Sequence, residues 1–149
     1  MALTAYLRIA GRDSGPVTGT ATARGFEGWI PVIGASHEVE ALPEGRVHHP
    51  FVVTKEIDRT TPVLYRLLAG AEPLTGFELR FRAMKEGLET HVYTVRLTGA
   101  RLADIRFCMP NLRDPDEARL VEFEDVSFTY DRIEWVWVDG DVRAEDAGK

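Results

Sequence analysis

Cysteine is nearly absent: Cys108 stands alone in 149 residues. One cysteine excludes a disulfide within the chain and permits folding in a reducing compartment. Its place late in a strand-like segment before Pro110, with no helix start to lower the thiol pKa, suits a small buried hydrophobe. Long apolar runs are also missing. No uncharged stretch approaches the ~18 residues needed to span a bilayer, and the opening MALTAYLRIAG has no basic leader ahead of an apolar run. The expectation is a protein that begins in the cytoplasm, with no signal peptide and no membrane insertion. Positive charge is in short supply too. Lys and Arg number 18 against 24 Asp and Glu, a net charge of −6, which disfavours binding a phosphate backbone and so argues against nucleic acid.

Catalytic and ligand-binding patterns are equally scarce. His48 and His49 are adjacent, and neighbours in an extended chain point to opposite faces, so the two cannot grip one ion together. His37 and His91 have no spacing that completes a tetrahedral site with a single cysteine. The acidic clusters around Pro115 and Gly140 lack the length and terminal glutamate of a calcium loop. Ser14, Ser36 and Ser127 sit in no nucleophile elbow, and Thr18 to Gly25, small and polar, matches no nucleotide fingerprint and reads as a flexible loop. No catalytic residue, metal site or cofactor is assigned, and an enzyme is not expected.

What the sequence has in quantity is alternation with a period of two. Leu3, Ala5, Leu7 and Ile9 alternate with polar neighbours and predict a first strand, ended by Gly11 and Ser14-Gly15-Pro16. Phe26 to Ile30 and Val32 to Val39 predict two more strand pieces broken at Pro31 and Gly34. Phe51, Val53 and Ile57 share one face of a further strand. Thr61 as N-cap before Pro62, with Val63, Leu64, Leu67 and Leu68 on one side and Gly70 at the end, predicts one helix over residues 62–69. Phe77 to Ala83 and Leu88 to Leu97 alternate around Lys85-Glu86-Gly87 and predict a hairpin. Another strand follows from Arg101 to Met109, then a Pro- and Asx-rich loop. From Val121 to Trp137 the apolar parity shifts twice, which predicts bulges or a bend. Residues 139–149 are charged and read as a frayed tail.

Short strands at regular spacing with one helix predict a mostly β barrel or sandwich in a single domain spanning residues 1–149. Trp135, Val136, Trp137 and Val138 are apolar on both strand faces. Either that strand is central to the core, or one face, carrying Val136 and Val138, meets another chain.

The order of elements resembles the haemolysin-coregulated protein (Hcp) family of type VI secretion. The resemblance rests on Arg46-Val47-His48-His49-Pro50-Phe51 entering a strand, the helix Pro62-Val63-Leu64-Tyr65-Arg66-Leu67-Leu68, and Cys108-Met109-Pro110 closing another strand. Phe128-Thr129-Tyr130-Asp131-Arg132-Ile133-Glu134-Trp135 and Tyr6-Leu7-Arg8-Ile9-Ala10-Gly11 agree with it. It runs from about Leu3 to Val138, with a short segment at Leu42 to Gly45 as a departure.

The resemblance implies an open or split β-barrel of two packed sheets with one helix at its side, of the phage tail-tube type. It also implies a structural role, with hexameric rings stacking into a tube. A contractile sheath drives that tube, tipped by a spike protein, out of the cell, and small effector proteins travel in the lumen. Ser36 to Pro50 then reads as a hairpin-like arm reaching toward the next ring, with Glu38, Val39, Glu40, Leu42, Arg46 and His48 as its contact residues. His48 and His49 become framework where that arm returns to the barrel. A monomeric β-barrel binding a small ligand and a small hydrolase are the rival readings.

Overall fold

The structure, a computed structural model, describes residues 3–148. In chain order its elements are β1 (Leu3–Gly11), β2 (Gly15–Pro16), β3 (Ile30–Val32), β4 (Gly34–Ser36), β5 (Val39–Leu42), β6 (Gly45–His48) and β7 (Phe51–Glu56). The helix α1 (Thr61–Ala69) follows, then β8 (Leu74–Lys85), β9 (Leu88–Thr98), β10 (Arg101–Cys108), β11 (Phe123–Thr129), β12 (Arg132–Trp137) and β13 (Val142–Ala147). The protein is mostly β, as its periodicity requires. Its larger sheet runs β13-β12-β9-β8-β1-β2 with β3 also on β1; a second runs β10-β11-β7-β4; β5 and β6 pair only with each other.

Alternation along these strands sends one apolar set from each sheet into a shared core. Leu7, Ile9, Phe77, Leu79, Val95, Leu97 and Ile133 come from the larger sheet and meet Phe51, Val53, Val126 and Phe128 from the four-stranded one. Phe77 stands edge-on to Phe128, 4.9 Å between centroids, and packs on Phe51 at 6.0 Å. The helix closes the side with Leu64 and Leu67 buried, while Val63 and Leu68 pack at the margin. The β8–β9 hairpin turns at Glu86 and Gly87, both with positive φ, the two-residue turn whose twist matches a hairpin.

Several expectations need correction. Residues 139–148 are not a frayed tail, because β13 pairs with β12 from Trp137↔Val142 to Arg132↔Ala147; Lys149, the last residue of that expectation, lies outside the described residues. An exposed edge strand needs only a backbone ladder and cross-strand charge pairs, here Arg132 with Glu145 and Arg143 with Glu134, so it leaves no apolar alternation to read.

Phe26 to Ile30 is a loop until Ile30, and Val32 to Val39 divides between β3, β4 and β5. Phe26 and Trp29 form a second small cluster with Ala21, joined by Tyr6 from the outer face of the larger sheet. Thr18 to Gly25 is pinned there: Gly19 N–H donates to Gly28 O and Ala21 N–H to Trp29 O. A side chain at Gly19 would strike the Trp29 carbonyl, so small residues mark close packing here and not a free loop.

The helix begins one residue early, at Thr61. Thr60 is the N-cap but makes no side-chain cap bond; Asp58 instead accepts from the Thr60 N–H and hydroxyl. At the other end Ala71, not Gly70, takes the left-handed conformation. Cys108 is half-buried and not enclosed.

Of the two parity shifts after Val121, the second comes from the corner at Tyr130 and Asp131, where the chain passes from one sheet to the other. The first is no bulge, because β11 keeps one parity with Glu124 inward and Phe123 half-buried on the other side. The one irregularity in the β10–β11 ladder lies on β10, between Leu102 and Asp104. Lys55 takes the third inward position of β7 after Phe51 and Val53, and Glu124 the matching one on β11.

Candidate assembly surface

The arm is a two-stranded ladder in which Val39 faces His48, Glu40 faces Val47, Ala41 faces Arg46 and Leu42 faces Gly45. Pro43 and Glu44 make the tip, and the His49 N–H donates to Glu38 O to close the base. Residues paired across a ladder share a face. One face therefore carries Val39, Arg46 and His48, and the other carries Glu38, Glu40, Val47 and His49. The adjacent histidines look in opposite directions and have different surroundings.

The face with His48 turns toward the barrel. The His48 side chain is 2% exposed, with Nε2 2.7 Å from Asp146 Oδ2 on β13 and Nδ1 3.0 Å from the Tyr130 hydroxyl. Arg46 donates through Nε and through a terminal nitrogen to the same Asp146 carboxylate. Tyr130 also lies 2.6 Å from His37 Nε2 and donates to the His49 carbonyl at 3.2 Å. Bonds from Arg46 and His48 hold the Asp146 carboxyl well below the usual carboxylate range. Burial, together with that carboxylate, pushes the Tyr130 phenol up to about 12, and burial with neighbouring His48 pushes His37 down.

The opposite face is open. Glu38 and Glu40 each approach His49 Nε2 at 3.4 Å, bringing three possible ligand atoms within 4.8 Å of one another on the surface. Strand register makes this grouping, which a reading of linear histidine spacing does not reveal. Val39, Leu42 and Val47 remain exposed on the arm.

The candidates on β12 part company. Val136 is 5% exposed within the single chain, so its burial needs no second copy, whereas Val138, just beyond the strand, is 40% exposed. On the same outer face Glu78 is buried and receives Arg8 and Arg96, each at 2.9 Å. Arg8 and Arg80 also lie over the Trp29 ring.

Among the described residues both sheets end in strands paired on one side only, β10 and β4 on one and β13, β2 and β3 on the other. On β10 and in the loop that follows it, Phe107, Met109, Leu112, Leu120 and Val121 are all exposed. The sequence reading does not single out these residues. Their signal was Phe107 and Met109, alternating at the end of a strand with no apolar partner assigned to them.

Comparison with known proteins identifies the lineage. The family model described as "Type VI secretion system effector, Hcp" matches residues 6–137. The chain belongs to the Hcp family. The "Major exported protein" of Pseudomonas aeruginosa is 36% identical, over 91% of this chain and 89% of that one. A solved structure titled "Crystal structure of Hcp protein" superposes with a TM-score of 0.88 at 25% identity, covering 99% of each chain. "Secreted protein Hcp3 from Pseudomonas aeruginosa" does so with a TM-score of 0.84 at 30% identity, again over 99% of each. Hcp membership makes this a secreted protein of the type VI system, and the two-sheet barrel with one helix is the Hcp fold.

Proposed function

We propose that the chain is the structural subunit of a type VI secretion tube. Copies close into a hexameric ring around a wide lumen, and rings stack into a tube that a sheath drives outward behind a spike. The lumen holds small effector proteins. The subunit is made in the cytoplasm, leaves through the tube machinery, and performs no catalysis.

The observation that carries this reading is the pair of open sheets. A barrel with unpaired edges on both sheets, and with exposed apolar side chains on the edge strand β10 and in the loop after it, is prone to uncontrolled pairing unless another copy covers it. Head-to-tail closure into a ring does so for every subunit at once. The arm, projecting as a separate ladder with apolar and charged residues mixed, suits a modest reversible contact between rings.

Light scattering across micromolar concentrations, with negative-stain microscopy, tests the proposal. Rings of uniform diameter with a central hole are expected. A monomer mass persisting at every concentration would overturn the reading, since a weak ring gains mass as concentration rises.

A further inference from the structure

We infer that Asp146, on the last strand, is the positioning residue of the arm, fixing through Arg46 and His48 the direction in which the arm meets the next ring. This rests on the stacking role proposed for the arm.

The arm has little else to hold it. Its two strands pair with each other and with neither sheet of the barrel. Among the described residues, every side-chain hydrogen bond between residues 38–49 and the barrel ends on Tyr130 or Asp146. Tyr130 grips the base, at His48 and the His49 carbonyl. Asp146 reaches further out, joining Arg46 and His48, successive residues on the inward face of β6.

Two attachments along one strand fix a direction as well as a place. Arg46 engages both oxygens of the carboxylate through two of its nitrogens, and His48 Nε2 shares one of those oxygens. Such forked, charge-assisted bonding constrains orientation more tightly than a single contact. The groups facing Asp146 are Arg46 and His48 from β6, with Tyr130 behind His48 from the corner before β12. An arm held in its binding direction loses less conformational entropy on docking, so the anchor tightens stacking without touching the neighbouring ring.

The test is hydrogen exchange of the full chain with a parallel assay of ring stacking. Asp146→Asn keeps the size of the side chain and removes its charge. Glu145→Gln, the neighbour on β13 whose partner is Arg132, controls for loosening of the strand itself. Arg46→Gln breaks the same contact from an exposed site, so the question stays decidable if the Asp146 variant folds poorly.

Amides of residues 39–48 should exchange faster in Asp146→Asn and in Arg46→Gln, and no faster still in the double variant. The ring concentration needed for stacking should rise about tenfold, the effect of roughly 1.4 kcal/mol in an association. Glu145→Gln should resemble the parent in both readouts. Unchanged arm exchange in both single variants overturns the anchor, and faster exchange with unaltered stacking overturns its purpose. Failure of the parent chain to form rings would sink the tube reading instead, and the exchange comparison would still decide whether Asp146 holds the arm.

Discussion

Lys55 and Glu124 meet at 2.6 Å between β7 and β11, and neither side chain reaches solvent. The ammonium also donates to the Glu56 carbonyl and to Asp58, using all three of its protons. Glu124 accepts a further bond from the Thr61 hydroxyl through the same oxygen, while its other oxygen, Oε1, has no partner among the described residues. The pair ties the start of the helix to the four-stranded sheet. Removing one member strands a buried charge, so Lys55→Met should cost about 3–5 kcal/mol in denaturant unfolding. A double replacement by apolar residues of similar volume should restore most of that loss. A Lys55→Met cost near zero would contradict the buried pairing.

The helix is expected to be structural. Leu67 is 1% exposed and lies in the core cluster with Leu64, so Leu67→Ala should destabilise by about 2–5 kcal/mol. Leu68 is only partly buried and should cost less. A change below about 1 kcal/mol at Leu67, typical of a surface site, would show that the helix does not seal the barrel.

Substitutions at Val136 and Val138 should separate folding from assembly. Val136→Glu places a charge in a site closed within one chain, so it should lower subunit stability whatever the oligomeric state. Val138→Glu alters an exposed position and should leave unfolding almost unchanged. Weakened rings in that variant, measured by sedimentation, would put the end of β12 in the ring contact; undisturbed rings would remove it.

Deleting residues 42–46 takes away the arm tip together with Arg46. Rings should form and stacked tubes should vanish, with secretion lost, as negative-stain microscopy and culture-supernatant assays would show. Tubes that survive the deletion refute the stacking role. Loss of the rings themselves would move the arm into the within-ring contact.

Acid should weaken the fold in a defined window. Burial and neighbouring His48 lower the pKa of His37, and burial with the charge of Arg80 lowers that of His91. Both rings therefore favour the neutral form when folded. Their contribution is fully present above about pH 6.5, the value of a free histidine, and is lost as pH falls from there through their lowered folded values. Denaturant midpoints should drop as pH falls below about 6.5, and His37→Gln should reduce the drop. A midpoint that holds or rises on acidification contradicts this.

Much of the barrel was legible because burial writes itself as alternation. Leu7 and Ile9 on β1, or Leu79 and Phe81 on β8, could hardly be placed otherwise. Charge in core positions hid the rest. Lys55 sits where the parity of Phe51 and Val53 points inward, and a reading that follows only apolar residues passes over it to Ile57. The last strand was illegible for the opposite reason, since its neighbours are largely solvent and its pairing relies on backbone and charge. That omission also hid the arm's anchor: Arg46 and His48 were visible as candidates, but their shared carboxylate lay in a segment read as a tail.

Chain order adds a constraint during biosynthesis. The arm is synthesised early, but Arg46 and His48 wait for a carboxylate 100 and 98 residues downstream. Until Asp146 has been made, nothing on the last strand can aim the arm, so on the proposed stacking role an earlier nascent chain would not be ready to dock. If the arm stacks rings as proposed, its competence to do so would come only once β13 has paired with β12 and brought Asp146 into place.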